Sequence, residues 1–212
     1  MPLIRKPSTA TSTPSSPPAA DAASALFLLE NGTDDERWAA ARVVSQMTGG
    51  VAALAKALVG ERDRRVREAI LTSLARAATP ESVQALLPLV RSDDAQLRTG
   101  ALDALRATKD ALRPYLPSLL RDGDVDVRLL ACELARNLPA QEASHMLCEL
   151  LDHETEPNVC GAAVEVLAEV GGPEALPSLA RCADRFHGTP FLDFSIKVTA
   201  DRIRLESTRS RE

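Results

Sequence analysis

A short phrase returns about every 30 residues along this chain. It reads acid, two further residues, an aliphatic and an arginine. The copies are "DRRVREAILTSL" from Asp63, "DAQLRTGALDAL" from Asp94 and "DVDVRLLACELA" from Asp124, with variants "TDDERWAAARVV" from Thr33 and "EPNVCGAAVEVL" from Glu156. Arg37, Arg67, Arg98, Arg128 and Cys160 share one column. One residue earlier stand Glu36, Val66, Leu97, Val127 and Val159; three later, Ala40, Ile70, Ala101, Ala131 and Ala163; seven later, Val44, Leu74, Leu105, Ala135 and Leu167. These are helical spacings, so one buried helix face recurs. The acid four residues ahead of the arginine suits an N-cap, where a carboxylate accepts unpaired backbone N–H groups.

A second helix follows in each unit, with a core column of Leu54, Leu86, Leu116, Leu147 and Leu176 and a companion three residues on. Breakers separate the helices: "TGG" at 48–50, "TP" at 79–80, "LP" at 138–139 and "GGP" at 171–173. Each unit is thus a hairpin whose apolar face is too wide to cover alone, and stacked neighbours cover one another. The expected fold is an all-α, right-handed α-solenoid of about five hairpins with a capping helix at each end.

Composition supports close-packed helices and narrows the chemistry. Hydrophobic residues make up 45% of the chain and aromatics only 3%, and the formal charge is −5. Arg5 and Lys6 lie in a leading segment without acids, so the body is more acidic still. That balance argues against a nucleic-acid partner, which normally needs a basic face. No apolar run is long enough for a membrane span. "STATSTPSSPP" follows Arg5 and Lys6 where a signal peptide would need an apolar segment. The four cysteines form no CxxC pair and read as reduced thiols, so the expected location is cytoplasmic.

Residues 1–20 are rich in Ser, Thr, Pro and Ala and are expected to be a disordered tail. The solenoid is assigned to 21–206 and a flexible tail to 207–212. "AADAASALFLLE" (19–30) reads as a helix covering the first unit. "PFLDFSIKVTADRIRL" opens with Pro190 and carries the stripe Leu192, Ile196, Thr199 and Ile203. It is expected to cap the last unit and to pack Phe186, Phe191 and Phe194 against it.

No catalytic constellation is complete. His145 and Cys148 are three apart on one helix and His153 lies beyond, fewer ligands than a zinc site requires. No cysteine falls in a Cys/His arrangement and no Gly-rich phosphate loop occurs. Cys132 falls in a core column. Trp38 is expected to pack on the amino-terminal cap. The reading therefore assigns no catalytic residue, metal or cofactor.

Over about residues 33 to 183, the D-x-x-[VL]-R phrase and the L-x-x-L helix after it resemble the HEAT repeat family in its short bacterial version. The resemblance implies a ladder in which Asp63, Asp94 and Asp124 cap helices while Arg67, Arg98 and Arg128 link neighbouring repeats. It also implies that the second helices line the concave side. Lys56, Gln84, Arg91, Arg121, His145, Glu149, Asp152 and Arg181 then face outward there, with Arg91, Arg121 and Arg181 set to meet acidic groups of another protein. Repeat relatives of this kind suggest a non-enzymatic adaptor or scaffold, an accessory factor in bacterial signalling of the chemotaxis or two-component type. The repeat style is also similar to that of phycobilin lyases, which makes chromophore handling the alternative. The deoxyhypusine hydroxylases, a HEAT-fold enzyme group with several His-Glu pairs, are not matched: only His153–Glu154 occurs here.

Overall fold

The computed structural model describes residues 19–209, so the Ser/Thr/Pro-rich stretch ahead of them lies outside the described residues. The chain is all-α, an array of repeated helical hairpins. It divides into two compact units, Met1–Ser73 and Leu74–Glu212.

In the first unit α1 (Ala19–Asn31) packs on the hairpin of α2 (Asp34–Val44) and α3 (Gly50–Gly60), and α4 (Arg64–Ala77) begins. Thr33 starts α2 with a full capping box: its hydroxyl accepts from Glu36 N–H while the Glu36 carboxylate accepts from Thr33 N–H. The hydroxyl replaces the acid that the other phrases carry. Between α2 and α3 the chain needs glycine twice. Gly49 has φ 74°, the left-handed region. Gly50 is buried with the Val44 carbonyl where a Cβ would stand. Leu29, Leu54, Ile70 and the small Ala41 are wholly buried. Trp38 is half-buried, with the guanidinium groups of Arg42 and Arg65 over its ring at 4.5 and 5.6 Å.

In the second unit the first helices are α6 (Ala95–Ala107), α9 (Val125–Ala135) and α11 (Pro157–Val170). The second helices are α5 (Pro80–Leu86), the short pieces α7 (Lys109–Leu112) and α8 (Leu116–Leu119), α10 (Ala140–His153) and α12 (Leu176–Arg185). Prolines explain the broken ones. Pro88 turns the end of the α5 helix into a 3-10 segment (Leu87–Arg91), and Pro114 does the same between α7 and α8 (Arg113–Tyr115). Proline supplies no N–H for the regular ladder. α13 (Pro190–Arg209) covers α11 and α12. It is helical through Arg209, and the rest of the expected tail lies outside the described residues.

The expected core is largely present. Leu74, Leu105, Leu167, Leu86, Leu116 and Leu147 are each fully buried, worth about 1.5–3 kcal/mol apiece. The last hairpin differs. Leu176 is only half-buried, and Leu179 takes the fully buried position. A 3-10 turn, Pro173–Ala175, precedes α12. Along α13 the stripe Leu192, Ile196, Thr199 and Ile203 is buried as expected. The aromatics divide: Phe194 is 69% exposed and stands on the outer side of the helix, Phe191 is 49% exposed but lays its ring edge against Gly161 of α11, and Phe186 is half-buried.

Candidate functional site

The loops that join successive hairpins follow one rule. The residue two places before each N-cap accepts the backbone N–H of that cap. Glu61 accepts from Asp63 N–H, Ser92 from Asp94, Asp122 from Asp124 and Glu154 from Glu156, at 2.8–3.2 Å. The caps themselves work at three of these four starts. Asp63 accepts from Val66 N–H, Asp94 from Gln96 and Leu97, and Asp124 from Asp126. Glu156 makes no side-chain cap.

The column arginines serve these loops. Arg98 donates to the Ser92 carbonyl and Arg128 to the Asp122 carbonyl, in both cases six residues back. Arg128 also forks onto both Glu154 oxygens at 2.7 and 3.1 Å, and Arg37 onto both Glu61 oxygens at 2.8 and 3.0 Å. The two acids keep only 5% of their side-chain surface. Glu61 and Glu154, not the capping aspartates, take these forks, and Arg37 also reaches Asp34 at 2.8 Å. Sequence reading passed over both, though their place two residues ahead of the cap is visible once the phrase is extended backwards. The Arg37 fork holds the Glu61 carboxyl below its usual range. Burial pushes the Glu154 carboxyl up, but Arg128 and two backbone N–H groups outweigh it and the net direction is down.

The outward groups of the second helices are exposed, except that Asp152 is half-buried. Lys56 pairs with Glu30 inside the first unit at 2.7 Å. In the second unit the remaining groups form rungs between adjacent hairpins. Gln84 donates to the Tyr115 hydroxyl at 3.1 Å, Arg91 pairs with Asp122, Arg113 with Glu142 at 2.6 Å and Arg121 with Glu149 at 3.0 Å. Arg181 forks onto Asp152 at 2.9 and 3.0 Å, and Ser144 donates to Glu174 at 2.9 Å. The arginines expected to await an acidic partner already hold acids of their own chain. His145 lies beside Glu149 at 3.5 Å.

The second helices α8 and α10 leave room between them. A cavity of about 560 Å³ opens between α8 and α10. Pro117, Leu120, Met146 and Leu150 give it an apolar floor, and Arg121, His145, Glu149 and His153 form the rim. The buried Arg128–Glu154 fork closes one end. Among the described residues no group of three or more His, Cys, Asp or Glu side chains is arranged to hold a metal ion. Nor is any described helix long and apolar enough to cross a membrane.

Capped hairpins, stacked and tied loop to helix, define a helical repeat solenoid. The chain belongs to the HEAT repeat family, whose model matches residues 23–106 and 112–187. Among solved structures it is similar to the archaeal HEAT-like repeats protein of Thermococcus onnurineus NA1, with 17% identity, 88% of each chain covered and a TM-score of 0.51. It is also similar to a designed armadillo repeat protein, with 18% identity, 85% of this chain and 98% of the other covered and a TM-score of 0.40. A third is the CpcE–CpcF phycocyanin lyase complex of Nostoc sp. PCC7120, with 14% identity, 95% and 100% covered and a TM-score of 0.38. A comparison with curated proteins gives no significant match.

Proposed function

We propose that this chain is a non-enzymatic protein-binding adaptor or scaffold that receives its partner on the face of the second helices, centred on the groove between α8 and α10. The observation that carries this reading is the groove: an apolar floor of Pro117, Leu120, Met146 and Leu150 within a charged rim. Interfaces favour this combination of a buried apolar centre and a polar edge. The rim arginine need not be free beforehand. Arg121 and Glu149 keep 67% and 50% of their side-chain surface, and an exposed pair of this kind contributes only about 0–1 kcal/mol. A partner carboxylate can replace Glu149 at little cost. On family resemblance, the partner belongs to a bacterial signalling assembly.

Affinity capture from lysate of the source cells tests the reading, comparing wild type with Met146→Glu and with Arg91→Glu/Arg121→Glu. A protein retained by wild type and lost from both variants, at unchanged melting temperature, supports the adaptor. Identical recovery by wild type and variants overturns the groove as the docking place. Added bilin should leave the absorbance spectrum unchanged; a spectral change that requires a cysteine-bearing acceptor would favour chromophore handling instead.

A further inference from the structure

The end helix α13 has two different faces. Leu192, Ile196, Thr199, Ala200 and Ile203 are buried against the last hairpin. On the other side Phe191, Phe194, Val198 and Leu205 recur at helical spacings and make one apolar stripe. Seven large hydrophobic side chains are exposed among the described residues, and four of them are in this stripe. A contiguous row on one helix, unlike scattered single residues, is the form an interaction surface takes. The charges beside the stripe say what fits it. Asp193, Lys197, Asp201 and Arg204 follow one another at four, four and three residues along one edge of the helix, and their signs alternate. Within the chain, Asp201 takes Lys197 at 2.9 Å and Arg204 at 3.2 Å, and Asp193 accepts from the Gly188 N–H at 3.1 Å. Near the other edge Arg202 and Glu206 pair with each other.

We propose that the outer face of α13 is a contact between two copies of this chain, an antiparallel helix pair with an apolar centre and an alternating charged edge. A two-fold pair brings the same edge of each helix together. Run in opposite directions, those edges meet opposite charge at each place: Lys197 faces Asp201 of the second copy, and Arg204 faces Asp193 of the second copy. A parallel pair would set like charge against like. Both antiparallel pairings need one register, with the two-fold axis beside Val198. That register brings Val198 close to Val198 of the second copy. It also seats Leu205 between Phe191 and Phe194 of the second copy. Lys197 and Asp201 keep 77% and 47% of their side-chain surface, so these pairs fix orientation more than they add affinity. One helix pair falls short of the roughly 1,200–2,000 Å² that a stable interface buries, so the dimer forms and dissociates with concentration.

Sedimentation equilibrium of the folded full-length chain, from about 5 μM to about 0.5 mM, tests this. The expected result is a monomer at the low end and a dimer, with no larger species, at the high end. Lys197→Glu and Asp201→Lys should each weaken pairing by about ten-fold or more, because like charges then meet across the axis. Mixing the two variants in equal amounts should restore pairing, because each substituted residue then meets its opposite. Within either variant chain that pair of positions carries like charge, so a contact inside one chain cannot produce the rescue. Phe194→Ser should abolish pairing while the melting temperature in dilute solution stays unchanged. A monomer throughout the range, open-ended association, a dimer that all three variants keep, or a mixture that fails to pair would each overturn the proposal.

Discussion

Glu154 is one residue on which much local order depends. Its carboxylate takes the Arg128 fork and the N–H groups of Thr155 and Glu156 while nearly buried. Removing it leaves a guanidinium with 14% side-chain exposure without its carboxylate, and the two loop amides without the oxygen they donate to. Glu154→Ala should therefore lower stability by about 3 kcal/mol in urea unfolding. Asp103→Ala, which breaks only the exposed pair with Arg106, should change it by less than about 0.5 kcal/mol. Glu61 plays the equivalent part in the first unit. Glu61, Asp122 and Glu154 all have folded pKa values below their unfolded ones. Such groups add stability above the unfolded carboxylate pKa and lose it as pH falls through the folded value. The urea midpoint should hold steady from neutrality to about pH 5 and fall below about pH 4. A midpoint that rises on acidification would contradict these ion pairs.

At the scale of elements, helix starts differ in how they are capped. Asp94→Ala and Asp124→Ala each remove a working cap and should cost about 1 kcal/mol. Glu156→Ala removes an acid that caps nothing and should be near neutral. Gly50→Ala should be among the most damaging single-methyl additions, because the new carbon would occupy the place of the Val44 carbonyl. Parallel urea titrations rank all four. The hairpins were legible in sequence because burial repeats at helical spacing, so Leu74, Leu105 and Leu167 could be named in advance. The register of α12 was not, because leucines stand at both 176 and 179 and the spacing pointed to the first, whereas Leu179 is the fully buried one. Nor was the Glu61–Arg37 fork, whose members lie 24 residues apart and meet only once the hairpin closes. Of the groove, the rim residues Arg121, His145 and Glu149 were identified from their outward positions. Of the apolar floor only Leu150 was, as the companion of Leu147 in the leucine column; Pro117 and Met146 fall in no apolar column.

For the whole molecule, the end helix α13 covers the last hairpin with one side and leaves the other exposed. Leu192, Ile196 and Ile203 are buried, while Phe191, Phe194, Val198 and Leu205 are exposed. Arg202 reaches from α13 to the Leu167 and Gly171 carbonyls, closing the free end of α11. Deleting residues 190–212 should cost several kcal/mol, at about 1.5–3 kcal/mol for each buried aliphatic side chain, and should speed amide exchange in α11 and α12 first. Phe194→Ser should leave the melting temperature almost unchanged, since its ring is 69% exposed.

The rungs along the second helices, Gln84–Tyr115, Arg113–Glu142 and Asp152–Arg181, each span a single step to the neighbouring hairpin. Damage to one step therefore has no direct route to the next but one. A substitution in one strip can therefore reshape the groove while the hairpins on either side keep their fold.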